Sequence, residues 1–82
     1  MRIIYKKGKK ALIYYNNEFY LVSEACNDFT NSEPEVLIFK CDPSGYISNY
    51  MDVGGGRGLT LDEVLNNVEK YMYSGEEEWE KK

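Results

Sequence analysis

The chain contains no histidine. That absence excludes a Ser–His or Cys–His nucleophile pair and any imidazole metal ligand, and it removes the commonest general base. An enzyme built from this sequence would rest on a carboxylate such as Asp52, Asp62 or Glu63, so the composition favours a binding protein over a catalyst. Cysteine is scarce as well: Cys26 and Cys41 lack the close pairing of a zinc or thioredoxin-like motif. They are expected to pack as free, small apolar side chains. No metal and no cofactor is expected.

Long hydrophobic runs are also missing. None approaches the roughly 20 residues of a membrane span. The opening MRIIYKKGKK carries its apolar residues before its basic ones, the reverse of a signal peptide. The expectation is a cytoplasmic protein with no membrane contact.

Basic residues are rare beyond the first ten positions. The net charge is −4, and Arg2, Lys6, Lys7, Lys9 and Lys10 all lie at the start. Between residues 11 and 80 only Lys40, Arg57 and Lys70 oppose all 14 acidic residues. Such a body repels a polyanion, so direct nucleic-acid binding is not expected. The Lys6–Lys10 cluster is either a solvated turn or a contact for an acidic partner.

What the chain does have is apolar and aromatic content: 43% hydrophobic and 15% aromatic in 82 residues. That suffices for one small core and rules out disorder. Arg2 to Tyr5 reads as a short strand. ALIYY (11–15) and EFYLVS (18–23) flank Asn16-Asn17, a pair that tolerates positive φ and so predicts a two-residue hairpin. In that hairpin Tyr14 faces Phe19, Ile13 faces Tyr20, Leu12 faces Leu21 and Ala11 faces Val22. Both faces are apolar: one is expected to pack on a helix, and the other needs a partner or a layer of tyrosines.

Residues 24–34 are polar and predict a loop, and EVLIFKC (35–41) predicts a buried strand. Asp42-Pro43-Ser44-Gly45 has the chemistry of a turn, and the period-two pattern from Tyr46 to Val53 predicts the return strand of a second hairpin. Thr60 with Glu63 forms a capping box, and Leu61, Val64, Leu65, Val68 and Met72 make one helical stripe ending near Ser74-Gly75. The predicted fold is α+β, ββββα: a four-stranded antiparallel sheet of two hairpins with one C-terminal helix on one face. Residues 1–75 form the domain, and 76–82 a charged tail containing Trp79.

The most unusual stretch is MDVGGGRGLTLDEV (51–64). Gly54, Gly55, Gly56 and Gly58 surround Arg57 just before the capped helix. One explanation is a strand-to-helix connection that needs positive φ. The other is an anion site, in which backbone amides and the Arg57 fork grip phosphate near the helix start at Thr60, with Tyr50 and Asp52 alongside. The spacing fits neither of the familiar phosphate-loop fingerprints. Asp52 either pairs with Arg57 or lines the same pocket. Eight tyrosines offer contact area, and strand parity marks Tyr15, Tyr20, Tyr46 and Tyr50 as interface candidates. A homo-oligomer is expected.

From Phe39 onward the chain resembles a group of small bacteriophage proteins. Phe39-Lys40-Cys41-Asp42, Gly45, Tyr50, Asp52, Gly55-Gly56-Arg57-Gly58-Leu59-Thr60 and Glu63 match their pattern F-x-C/A-D-x-x-G … D-x-x-G-G-R-G-L/M-T/S-x-x-E. The likeness covers the second half of the chain and implies a phage or prophage origin. It also implies a role as an inhibitor of host defence.

Two functions follow as expectations. The first is sequestration of a phosphorylated nucleotide signal, cyclic or of ADP-ribose type, by Gly54–Gly58 and the helix start. The second is inhibition of a host defence protein or nucleic-acid enzyme, in the manner of an anti-CRISPR or a DNA mimic, through the acidic, tyrosine-bearing surface. A phage structural or accessory domain without a pocket is the remaining class.

Overall fold

A computed structural model describes residues 1–27 and 33–73. Five strands form one antiparallel sheet in sequence order: β1 (Arg2–Lys7), β2 (Lys10–Tyr15), β3 (Glu18–Asn27), β4 (Glu33–Cys41) and β5 (Asp52–Arg57). Two short helices follow, α1 (Leu61–Leu65) and α2 (Val68–Tyr71). The fold is a small α+β domain, as expected, with one strand and one helix more than the predicted ββββα.

The first hairpin follows the sequence closely. Asn16 and Asn17 adopt φ 53° and 68°, the left-handed pair that lets a two-residue turn match strand twist. The register is Tyr14 to Phe19, Ile13 to Tyr20, Leu12 to Leu21 and Ala11 to Val22. β1 then pairs with β2 as a full fifth strand, with a bulge between Ile3 and Tyr5.

The second half needs correction. Tyr46 to Met51 is not a strand; the return strand begins at Asp52 and runs through the glycines to Arg57. Alternation of apolar residues signals a strand only where backbone groups find a ladder, and here the Asp42 turn closes on itself. The Asp42 Oδ1 accepts from Ser44 N (2.9 Å), Ser44 Oγ (2.6 Å) and Tyr46 N (2.9 Å). The Asp42 N–H donates to the Tyr46 carbonyl (3.0 Å) and the Gly45 N–H to the Asp42 carbonyl (2.9 Å). Residues 24–27 and 33–34, predicted as loop, lengthen β3 and β4 instead. They pair with one another across the two strands, Glu24 with Val36 through Asn27 with Glu33, so a polar composition here does not mean absent structure.

The helical stripe is real but interrupted. Leu61, Val64, Leu65 and Val68 are buried, while Asn66 and Asn67 break the helix: Asn67 takes φ −154°, ψ 57°. Asparagine competes for local backbone bonds and so favours such a break. Met72 has left the helix and forms an isolated bridge with Gly54. The predicted stop at Ser74-Gly75 and the tail 76–82 lie outside the described residues.

The helices cover one sheet face. Ala11, Ile13, Val22, Val36 and Ile38 pack there with Leu61, Val64, Leu65 and Val68, each worth about 1.5–3 kcal/mol of burial for the larger side chains. The other face carries Tyr5, Leu12, Tyr14, Phe19, Leu21, Leu37, Phe39 and Cys41 by register. No helix of the described chain is long and apolar enough to cross a membrane.

Candidate functional site

The glycine cluster is an edge strand before it is anything else. Val36 faces Gly56, Leu37 faces Gly55 and Ile38 faces Gly54 across β4 and β5. Each glycine makes room for a close neighbour. A Cβ on Gly54 would lie 2.5 Å from the Tyr71 carbonyl oxygen and 2.9 Å from Ile38 Cδ1, and one on Gly56 would lie 2.9 Å from Leu59 Cδ1. Gly55 holds φ +124°, and its Cβ would collide with the Val36 carbonyl oxygen. The strand is bare so that the end of α2 can lie against it, where the Tyr73 N–H donates to the Val53 carbonyl (2.9 Å). Gly58 (φ 74°) turns the chain toward the helix, and its N–H donates to the Pro34 carbonyl (2.7 Å).

The helix start at Thr60 is occupied by protein carboxylates. Thr60 Oγ1 accepts from the Glu63 N–H (3.3 Å), and the Glu63 carboxylate accepts from the Thr60 N–H (2.9 Å). The Leu61 N–H donates to Glu24 Oε1 at 2.7 Å. Asp62 in the same turn pairs with Lys6 at 2.7 Å. Three carboxylates therefore surround the amides that an anion would need, and like charge opposes it there.

The expected ligand residues fall at two ends of β5. Arg57, Gly58 and Thr60 gather where β5 meets α1. Asp52 sits at the far end, accepting from the Tyr73 hydroxyl (2.9 Å), with Tyr50 nearby against Phe39. Five residues of extended chain separate Asp52 from Arg57 by roughly 16 Å, so the two neither pair nor share a pocket. Arg57 is exposed opposite Glu35 and makes no ion pair among the described residues.

The interface candidates divide by face. Tyr15 and Tyr20 lie on the helix side, half-buried against the core, their rings 6.4 Å apart. Burial, then the charges of Glu18 and Tyr15, raise the Tyr20 phenol above its usual range. Tyr46 and Tyr50 lie on the connection Asp42–Met51, which crosses the other face. That crossing is fixed by Gly45 beside the Tyr5 hydroxyl, by burial of Ile47, and by the Tyr50 ring edge-on to Phe39 at 5.4 Å. Tyr46, Tyr50 and Met51 remain 67%, 73% and 69% exposed.

Beneath and beside this connection, Tyr14, Phe19, Leu21, Leu37, Phe39 and Cys41 are only half-buried. Leu12 alone on that side of the strands is fully covered. The apolar second face was visible in the sequence, but which residues would crown it was not, because hairpin parity does not say which side receives the helix. Glu35 and Asp52 lie at the β4–β5 side of this face, together with Arg57 opposite Glu35. Among the described residues no cluster of three metal-ligating side chains occurs. No protein-family model, no curated protein and no solved structure matches the chain.

Proposed function

We propose that the chain is a non-catalytic binding protein of the phage anti-defence type that inhibits a host protein by docking its second sheet face into a basic, partly apolar groove. One observation carries this: an apolar sheet face left half-covered, with three exposed side chains, Tyr46, Tyr50 and Met51, on the one connection that crosses it. Tyrosine and methionine are enriched where proteins meet. The Asp42 turn holds their connection in place, which reduces the ordering cost of binding. Asp42 and Asp52, at the two ends of their connection, complement basic groups at the rim of such a groove and speed encounter with it.

Nucleotide sequestration is the second reading, and exposed Arg57 beside Gly58 favours it. The glycines themselves give it no support, since each is accounted for by packing.

Affinity capture from bacterial lysate, with native mass spectrometry of the untagged protein, separates the two. The inhibitor reading expects a stoichiometric complex with a basic protein that weakens with salt, is lost in Tyr46→Ala/Tyr50→Ala and survives Arg57→Ala. A stoichiometric adduct with a cyclic or ADP-ribose-type nucleotide, lost in Arg57→Ala, overturns it. So does a stable homodimer insensitive to added partner, since a second copy would then own the face.

A further inference from the structure

The opposite edge of the sheet is exposed along its length. β1 closes one side of the strand order and pairs only with β2 among the described residues. All six of its residues are exposed, and Ile3, Ile4 and Tyr5 keep 45%, 44% and 46% of their surface in water. An edge strand with free backbone groups is a template for another strand, and the bulge between Ile3 and Tyr5 with the flanking cations restricts which strand can add.

The charges on this edge are unequally satisfied. Lys6 pairs with Asp62 at 2.7 Å, and Lys9 reaches Glu24 at 3.8 Å. Arg2, Lys7 and Lys10 make no ion pair among the described residues. Lys7 also stands directly opposite Lys10 in the ladder, a like-charge pairing that destabilises a sheet. Nothing in the described chain compensates it.

A second copy fits this edge poorly in its longest registers. In an antiparallel pairing of two RIIYKK strands centred on Ile4, Arg2 meets Lys6; shifted by half a step one way, it meets Lys7. A parallel pairing stacks each cation near its twin. These arrangements add like charges to those already opposed, and the half-step the other way, with Arg2 opposite Tyr5, avoids that only by leaving Lys6 and Lys7 outside the paired stretch.

The geometry points to β1 as a strand-addition site for an extended acidic segment of a partner protein, its apolar centre against Ile3–Tyr5 and its carboxylates against Arg2 and Lys7. The site borders the tyrosine-bearing face through Tyr5, whose hydroxyl lies beside Gly45, but its test reads the backbone amides of β1 and so stands whether or not that face binds a host protein.

The test uses capped peptides of sequence EEVTVTVEE and KKVTVTVKK added to isotope-labelled protein, with amide shifts and hydrogen exchange read at Ile3–Lys7. The acidic peptide slows exchange and shifts these amides, and the lysine peptide does not. Arg2→Glu/Lys7→Glu weakens the acidic peptide by about tenfold and gives the lysine peptide a measurable affinity. Ile4→Pro blocks addition; its amide spectrum, matching wild type beyond β1 and β2, certifies the fold. Unchanged exchange at β1, equal binding of both peptides, or protection arising instead from protein self-association overturns the proposal.

Discussion

The Glu24 carboxylate on β3 caps α1 by accepting the Leu61 N–H at 2.7 Å, across 37 residues of sequence. It is half-buried and also meets Lys9, so it ties the sheet, the β1–β2 turn and the helix start together. Glu24→Ala leaves that amide without its acceptor and is expected to cost about 1–2 kcal/mol. Glu24→Gln keeps an acceptor and recovers part of the loss. Urea denaturation checks this as a lower midpoint with an unchanged slope.

The glycines of β5 predict a graded series. Gly55→Ala meets both a left-handed φ of +124° and the Val36 carbonyl, and is expected to destabilise by a few kcal/mol. Gly54→Ala forces the end of α2 away from the sheet and ranks close behind. Gly8→Ala, with φ +62° and open space around it, is expected to cost only about 1 kcal/mol. Thermal melts of the three variants order the costs. Equal values would mean that packing against β5 is not what the cluster is for.

The first hairpin, the Asp42 turn and the capping box were legible because each is written in neighbouring residues: positive-φ asparagines, an Asp-Pro-Ser-Gly run, Thr60 with Glu63. β5 was not. Glycine carries no strand signal of its own, and its use here depends on the distant Tyr71 and Val36 that press on it. The same limit hid Glu24, whose partner lies on another element. For the candidate site, the sequence named Tyr46 and Tyr50 together with Tyr15 and Tyr20, and only the side chosen by the helices separates the two pairs.

Asp42 makes the connection that follows it sensitive to acid. The Ser44 hydroxyl, then the Tyr46 N–H and, less strongly, the Ser44 and Gly45 amides, hold its carboxyl below the ordinary value of 3.8 against an opposing effect of desolvation. A depressed folded value means that the unfolded chain binds the proton more readily. Its contribution is therefore fully present above the ordinary value and is lost as pH falls through the folded one. The amide shifts of Ser44–Met51 are expected to move in that acidic window, before the strands melt. Asp42→Ala abolishes this early step and loosens the loop at neutral pH. A loop that titrates in step with global unfolding would contradict the assignment.

Tyr46 and Tyr50 separate binding from stability. Tyr46 is largely exposed, so Tyr46→Ala is expected to change stability by no more than about 0.5 kcal/mol. Tyr50→Ala also removes the edge contact with Phe39, a loss of about 0.5–1.5 kcal/mol. At a protein interface the order is set by burial in the complex instead, and truncating an aromatic anchor weakens binding by about tenfold or more. Both variants are therefore expected to lose the partner while the melting curve moves little, and Arg57→Ala to keep both. Calorimetric titration against the captured partner, at low and raised salt, reads this directly. If Arg57→Ala loses the partner and the tyrosine variants keep it, recognition lies at the β5–α1 corner, and the tyrosines merely shield the sheet from water.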